Sequence, residues 1–390
     1  MNKVIIITSS FLNIETKSIT VGGLQKYIQD LANLCVEAGY ETKVYQIVPQ
    51  STEDYELKHN GYIVRFASSN KNKRVKYNQD IFDCIYRNEN TRHSLFIIAT
   101  DCLDIKTMNH NVVNIQHGIS FDNSGYDTNK ANSKLWRIKH QLGKLYSCYL
   151  NVKRFYNVNK TICVDYNFFN WIRTIATIYP ETTVRIIPNY SDTFISENNL
   201  YEKINNRSKK RKLIFARRFY DYRGTLLFAD VAKRLLEEFD NIEISFAGDG
   251  PLRNKLEELF SNDSRVNIFS YSAVDSVEIH KEYDIAIIPT IYSEGTSLAL
   301  CESMAAGCLP IATHVGGMTN IILDGYNGFL AYPNIDSVYN ACRKCLMLET
   351  EEFNRICVNA YFSVLNSFSY RKWSMSWLEF LKETFQTNQE

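Results

Sequence analysis

The sequence predicts an α/β protein of two similar halves, each a parallel β-sheet crossed by helices. Three observations predict it. Apolar runs of strand length alternate with stretches of helical period along most of the chain. A strand, a helix and a second strand in this order imply a right-handed crossover and so parallel pairing. The alternation stops at a polar stretch, 197–212, that ends in Lys209, Lys210, Arg211 and Lys212, and then begins again. A chain of 390 residues is long enough for two such cored domains.

The first half opens with a buried strand at 3–7. A polar loop leads to Gly22 and Gly23, and a helix follows over 24–38, stopped by Gly39. Leu24, Tyr27, Ile28, Leu31, Leu34 and Cys35 recur along it at helical spacing. The next strand is 43–48. Backbone N–H groups at a Gly-Gly helix start can approach an anion, although the pair is also a plain tight turn. There is no GxGxxG, which argues against a dinucleotide dehydrogenase. Further strands fall at 95–99 and 112–115, the second running into Gln116-His117-Gly118. Ligands in open α/β sheets sit beyond the carboxyl ends of strands, so His117 is placed either to meet a substrate or to cap backbone groups.

No acid occurs from 128 to 164, whereas Lys130, Lys134, Arg137, Lys139, Lys144, Lys153, Arg154 and Lys160 do, interleaved with Trp136, Leu142, Leu145, Tyr146, Tyr149, Phe155 and Tyr156. This composition suits an anionic membrane surface or a solvated helix face. No nucleic-acid motif accompanies it. A strand at 161–164, a helix at 167–178 and a strand at 184–187 close the half, and Pro188-Asn189 breaks it.

The second half begins with a strand at 213–216. Arg217-Arg218-Phe219-Tyr220-Asp221-Tyr222-Arg223-Gly224 and a helix to about 239 follow. The strand at 242–247 ends in Gly248-Asp249-Gly250-Pro251, with a helix at 252–260. Strands at 266–269, 285–288, 309–312 and 328–330 alternate with a short helix at 275–281 and a small-residue helix after 297. Helices at 338–348, 352–365 and 370–385 finish the chain. Two carboxylates, Glu294 and Glu302, bracket the start of the small-residue helix. Acids there gain about 0.3–1 kcal/mol from the helix dipole without any ligand. Glu302, in an apolar helix, needs a partner if buried.

Composition sets outer bounds. With 45% hydrophobic and 22% charged residues the chain is a globular protein, and a formal net charge of +1 gives no global attraction to nucleic acid. The ten cysteines are scattered, with only Cys342 and Cys345 close together, so zinc-ligand spacing is missing and a reducing cytoplasm fits. The N-terminal apolar run is too short for a signal peptide, and no run approaches the ~20 residues of a membrane span.

Taken together, these motifs resemble the retaining, nucleotide-sugar-dependent glycosyltransferases of family 4, the glycosyl transferases group 1. The acidic motif of that family, two Glu flanking seven residues, stands here as Glu294 to Glu302. Its Met-Ala-x-Gly turn is Met304 to Gly307, and its Gly-Gly turn is Gly316-Gly317. Its Gly-Arg-Leu-x-x-x-Lys-Gly is 217–224, with Arg217 in place of Gly and Arg223 in place of Lys. Gly248 to Pro251, Ile187-Pro188-Asn189, Gly22-Gly23 and His117-Gly118 match further family positions.

The resemblance implies the GT-B fold, two Rossmann-like domains facing across a cleft, with a C-terminal helix crossing back to the first. The boundaries expected are 1–190 for an acceptor domain, 191–366 for a nucleotide-sugar domain and 367–390 for the crossing helix. It implies a retaining hexosyltransferase that uses a UDP-sugar and a glycan or lipid-linked glycan acceptor in cell-surface polysaccharide or lipopolysaccharide biosynthesis. Arg218 and Arg223 clamp the diphosphate, Glu302 holds the ribose, Glu294 holds the sugar, and His117 faces the sugar from the first domain. Gly22, Gly23, Gly248, Tyr271, Gly295, Thr296, Ser297 and Leu298 complete the donor site. Neither a cofactor nor a metal is expected, since basic residues replace the metal of an Asp-x-Asp motif. The expected location is the cytoplasm, peripheral at the inner membrane face, with no nucleic-acid partner; oligomeric state is left open. Loops 8–20 and 120–132 are expected to choose the acceptor. Two other readings share this architecture: a non-catalytic subunit that binds sugar nucleotide or glycan, and a sugar-nucleotide epimerase, which needs no acceptor.

Overall fold

The computed structural model describes residues 1–20, 22–70, 74–122, 133–179, 182–272 and 275–387. They fall into two compact units, the first of 1–117, 145–187 and 374–390, the second of 118–144 and 188–373. Residues 123–132, which include Lys130 and most of the second acceptor loop, lie outside the described residues.

In the first unit β1 (Lys3–Thr8), α1 (Gly23–Glu37) and β2 (Glu41–Ile47) form the expected crossover. A hairpin of β3 (Glu56–His59) and β4 (Tyr62–Ala67), then α2 (Arg74–Glu89), β5 (Ser94–Ile98) and β6 (Val112–Gln116), follow. Next come α3 (Lys134–Phe155), β7 (Lys160–Cys163), α4 (Tyr166–Ile175) and β8 (Thr183–Ile186). The sheet runs β3-β4-β2-β1-β5-β6-β7-β8 and is parallel except for β3 against β4. Val4 to Ile7 of the central β1 are fully buried, as a strand covered on both faces requires. The β3–β4 hairpin turns on Asn60 and Gly61, both at positive φ (44° and 85°), the torsions a two-residue hairpin loop demands.

A buried acid braces this sheet. Glu89, at the end of α2, accepts hydrogen bonds from Lys3 (3.0 Å), Lys43 (2.8 Å) and Tyr45 (2.6 Å). Burial works to raise its pKa, but these donors outweigh it and hold the carboxyl at about 2.

The second unit contains α5 (Glu197–Asn205), β9 (Arg211–Ala216), α6 (Thr225–Glu238), β10 (Ile242–Ala247), α7 (Arg253–Leu259), β11 (Val266–Phe269) and α8 (Ser276–His280). It continues with β12 (Ile285–Ile288), α9 (Leu298–Ala305), β13 (Leu309–Thr313), β14 (Phe329–Ala331), α10 (Ile335–Leu346) and α11 (Thr350–Ser367). Its sheet, β11-β10-β9-β12-β13-β14, is parallel throughout. Alternation along β9 splits the core: Leu213 and Phe215 join Phe228 and Phe246 on one face, while Ile214 and Ala216 join Leu300 and Met304 on the other.

The polar stretch 197–212 is not a plain linker. Ser196 caps α5 through the Asn199 N–H, Leu200 and Ile204 are buried on its inner face, and Arg211 and Lys212 begin β9. Only two apolar side chains, four residues apart, were needed to seat a helix whose composition looked like loop. The last helix, α12 (Tyr370–Thr387), begins in the second unit and continues in the first. There the Trp377 indole N–H donates to the Tyr27 hydroxyl at 3.0 Å, and Phe385 stacks on Tyr40 with ring centres 5.2 Å apart.

Candidate functional site

At the carboxyl ends of β9, β10, β12 and β13 the second unit gathers its loops around one carboxylate. Glu294 lies in the turn between β12 and α9. Arg217 donates to its Oε2 at 2.9 Å, Arg223 binds the same oxygen, and Thr290 donates to it at 3.4 Å. Arg217 is buried and also donates to the Thr290 hydroxyl. Burial opposes the charge of both partners. For Glu294 the two guanidinium groups outweigh it and hold the carboxyl below its ordinary range. For Arg217 burial wins, and its pKa is lowered although Glu294 pulls the other way. Two cations on one anion leave this cluster with a net positive charge.

Glycines let the backbones meet there. Gly224, at φ 79°, ends the arginine loop where a Cβ would lie 1.9 Å from the Pro289 carbonyl oxygen. A Cβ on Gly316, at φ 54°, would lie 1.8 Å from the Glu294 carbonyl oxygen, which also accepts the Gly317 N–H at 3.0 Å. The Gly316 N–H in turn donates to Asp122 Oδ2 at 2.8 Å. Gly248 packs in the same way on the Arg217 carbonyl, 2.1 Å from where its Cβ would be.

The other expected donor residues flank this cluster. Glu302, half-buried on α9, accepts from the Ser276 hydroxyl at 2.7 Å. A protein partner therefore already meets the need that burial in an apolar helix was expected to create. Tyr271 donates to the Ala216 carbonyl at 3.2 Å, and burial, with the Glu302 charge second, pushes its pKa up to about 12. Thr296 and Ser297 are buried, the Thr296 carbonyl accepts from Asn189 at 2.8 Å, and no side chain caps the α9 start at Leu298. Gly295 lies against Gly118, whose Cβ would come within 3.2 Å of the Gly295 nitrogen. Arg218 is elsewhere: it is exposed, donates to the Tyr222 hydroxyl at 3.3 Å, and lies over the Tyr220 ring.

In the first unit, His117 follows β6. Its Nε2 is 2.8 Å from the Ala99 carbonyl, so that nitrogen carries the proton and Nδ1 is left as acceptor. Burial pushes its pKa down to about 4, which makes the ring neutral at pH 7. Tyr27 of α1 meets the ring edge-on at 5.4 Å. Gly22 and Gly23 open α1, again without a side-chain cap.

Residues 196–361 match the family described as glycosyl transferases group 1. The second unit belongs to that family. Two curated relatives are similar to the chain. The lipopolysaccharide 1,2-N-acetylglucosaminetransferase of Salmonella typhimurium is 26% identical over 53% of this chain and 58% of its own length. The UDP-Gal:alpha-D-GlcNAc-diphosphoundecaprenol alpha-1,3-galactosyltransferase of Escherichia coli is 24% identical over 67% of this chain and 66% of its own length. The match thus spans only about half to two thirds of these relatives. Among solved structures, sucrose-phosphate synthase from Thermosynechococcus elongatus superposes with a TM-score of 0.74 at 13% identity, over 99% of this chain and 100% of that one. The chain has the GT-B fold.

Within this group 1 domain, the sequence pointed to the Glu294 turn, to Arg223 and to Gly224. It missed Thr290, Ser276 and Asp122 as partners, none of which carries a motif. Arg217 was visible only as a departure from the family glycine, and its side chain fills the space beside Glu294. Among the described residues no group of three His, Cys, Asp or Glu side chains is placed to hold a metal ion, and no helix is long and apolar enough to cross a membrane.

Proposed function

We propose that this protein moves a hexose from a UDP-sugar to a hydroxyl of a lipid-linked glycan at the cytoplasmic face of the membrane, with retention of configuration and without a metal. The product feeds cell-surface polysaccharide. The observation that carries the reading is the pair of arginines on Glu294 at the strand ends of a group 1 domain. The two curated relatives supply the rest by analogy, one named for lipopolysaccharide, the other for UDP-galactose and diphosphoundecaprenol.

The chemistry follows from charge. As the donor breaks, its diphosphate gains negative charge, and fixed cations that face it stabilise the departing group. Arg223 is the more exposed of the paired arginines, at 21% against 6% for Arg217, so it meets the diphosphate while Arg217 braces Glu294 from below. Arg218, on the same loop but turned to solvent on Tyr222, joins the diphosphate only by swinging inward. Glu294, kept ionised by two guanidinium groups, is a poor proton donor and a good acceptor for sugar hydroxyls. Glu302 and Tyr271 hold the ribose side. The anomeric carbon–oxygen bond breaks as the acceptor oxygen bonds on the same face, and the leaving phosphate oxygen takes the acceptor proton. His117, neutral, presents Nδ1 as a hydrogen-bond acceptor for a hydroxyl at the strand ends of the first unit.

Nucleotide release across UDP-, ADP- and GDP-sugars, with and without a lipid-linked glycan extract, tests this. UDP release that requires the extract, persists in a chelator and yields the donor's own anomeric configuration is expected. Epimerisation of the donor without acceptor, or no turnover with any donor, overturns the reading.

A further inference from the structure

The helix α3 presents an apolar face that none of the described residues covers. Leu135, Ile138, Leu142, Leu145, Tyr146 and Tyr149 are between 52% and 80% exposed. Apart from the adjacent Leu145 and Tyr146 they recur in steps of three and four, so at 3.6 residues per turn all six share an arc of roughly 100°. Single exposed hydrophobic residues are ordinary, but a continuous stripe marks a docking surface. Later in the helix Asn151 and Phe155 are buried, which fixes α3 to the protein and turns the stripe outward.

Charge identifies the occupant. Exposed Lys134 and Lys139 border the stripe on its two sides, and exposed Lys153 continues its line towards the C-terminal end. No acid occurs anywhere between 128 and 164. A second copy of the chain would find the apolar spacing suitable, since steps of three and four also make a coiled-coil seam. It would bring lysines against lysines, with no carboxylate on either helix to pair them. A surface that is apolar within and anionic at its boundary satisfies both features. A bilayer bearing anionic lipid has that structure, and a helix with this face lies in its interface plane.

We propose that α3 docks on anionic membrane, with the Leu135–Tyr149 stripe inserted at the acyl boundary and Lys134, Lys139 and Lys153 on lipid phosphates. The assignment rests on the lipid-linked acceptor reading above and names the surface that brings the enzyme to it.

Flotation with vesicles of phosphatidylcholine, alone or mixed with phosphatidylglycerol, tests the surface. Wild-type protein is expected to float only with the mixed vesicles, and less at high salt. Lys134→Gln/Lys139→Gln/Lys153→Gln weakens binding on the order of 100-fold, at about fivefold per charge. Leu142→Ser/Tyr146→Ser, at exposed positions, abolishes flotation even at low salt while leaving UDP affinity in solution unchanged. Equal flotation with both vesicles, none with either, or a stripe variant that floats like wild type overturns the proposal. So does self-association of the free protein that the stripe substitutions abolish. Flotation as expected from a protein that turns over no sugar nucleotide leaves the surface standing and sinks the enzymatic reading instead.

Discussion

The two units share a parallel sheet and differ in what they place beyond its strand ends. In the second, a buried arginine and a further arginine from the loop after β9 meet a largely enclosed carboxylate from the turn after β12, and glycines bring the backbones into contact around them. In the first, the corresponding ends carry a neutral histidine, a tyrosine edge and an uncapped helix start. The contrast separates two tasks. Fixed charge, which must be held against its own desolvation, suits the diphosphate of the proposed donor. Neutral hydrogen-bonding groups, which cost less to hold, suit a sugar or an acceptor.

Glu294→Ala should produce the largest effect. It strands Arg217 as a buried cation, which costs about 3–5 kcal/mol of stability, and activity should fall by two orders of magnitude or more. Thermal unfolding and nucleotide release read the two losses; an unchanged melting temperature would show that Arg217 needs no partner. Glycine substitutions compare the regions directly. Gly316→Ala meets the Glu294 carbonyl at positive φ and should cost about 1–3 kcal/mol or more together with activity. Gly39→Ala, also at positive φ but with nothing within 4 Å of its Cβ, should cost about 1 kcal/mol and leave activity intact.

Acid probes both units. His117 in the first and His280 in the second are each pushed down to about 4 by burial. The unfolded chain takes up those protons near ~6.5, so stability should fall as pH drops from there towards 4. Glu89, held at about 2, acts in a lower window: its contribution is present above its unfolded value and is lost as pH falls through about 2. Melting temperatures from pH 7 to pH 3 should show the first loss, smaller in His117→Gln. The smallest effect on stability is that of Arg218→Ala, which removes an exposed contact to Tyr222 and should cost less than about 0.5 kcal/mol.

The same contrast governs what could be read from sequence. Strand and helix order was legible in both halves because β1, β9 and β12 each contain an unbroken apolar run. The Asn60-Gly61 turn was a strong hairpin signal that apolar-run reading passed over. Helix α5 was hidden because burying Leu200 and Ile204 needs only two residues in a polar stretch. At the site, Glu294, Arg223 and Gly224 sit in a recognisable spacing. Which of two adjacent arginines turns inward does not depend on spacing: Arg217 follows the buried end of β9 and points at Glu294, while Arg218 points to solvent. Asp122 reaches Gly316 across nearly two hundred residues of chain, a pairing that only the folded unit reveals.

The central claim is that the Arg217–Glu294–Arg223 cluster receives the donor diphosphate. Calorimetric titration with UDP, of wild type and Arg223→Ala, measures it most directly. Losing charge-assisted bonds worth about 1.5–3 kcal/mol should weaken UDP roughly tenfold to 100-fold and flatten its salt dependence. Equal affinity in the two proteins would contradict the claim.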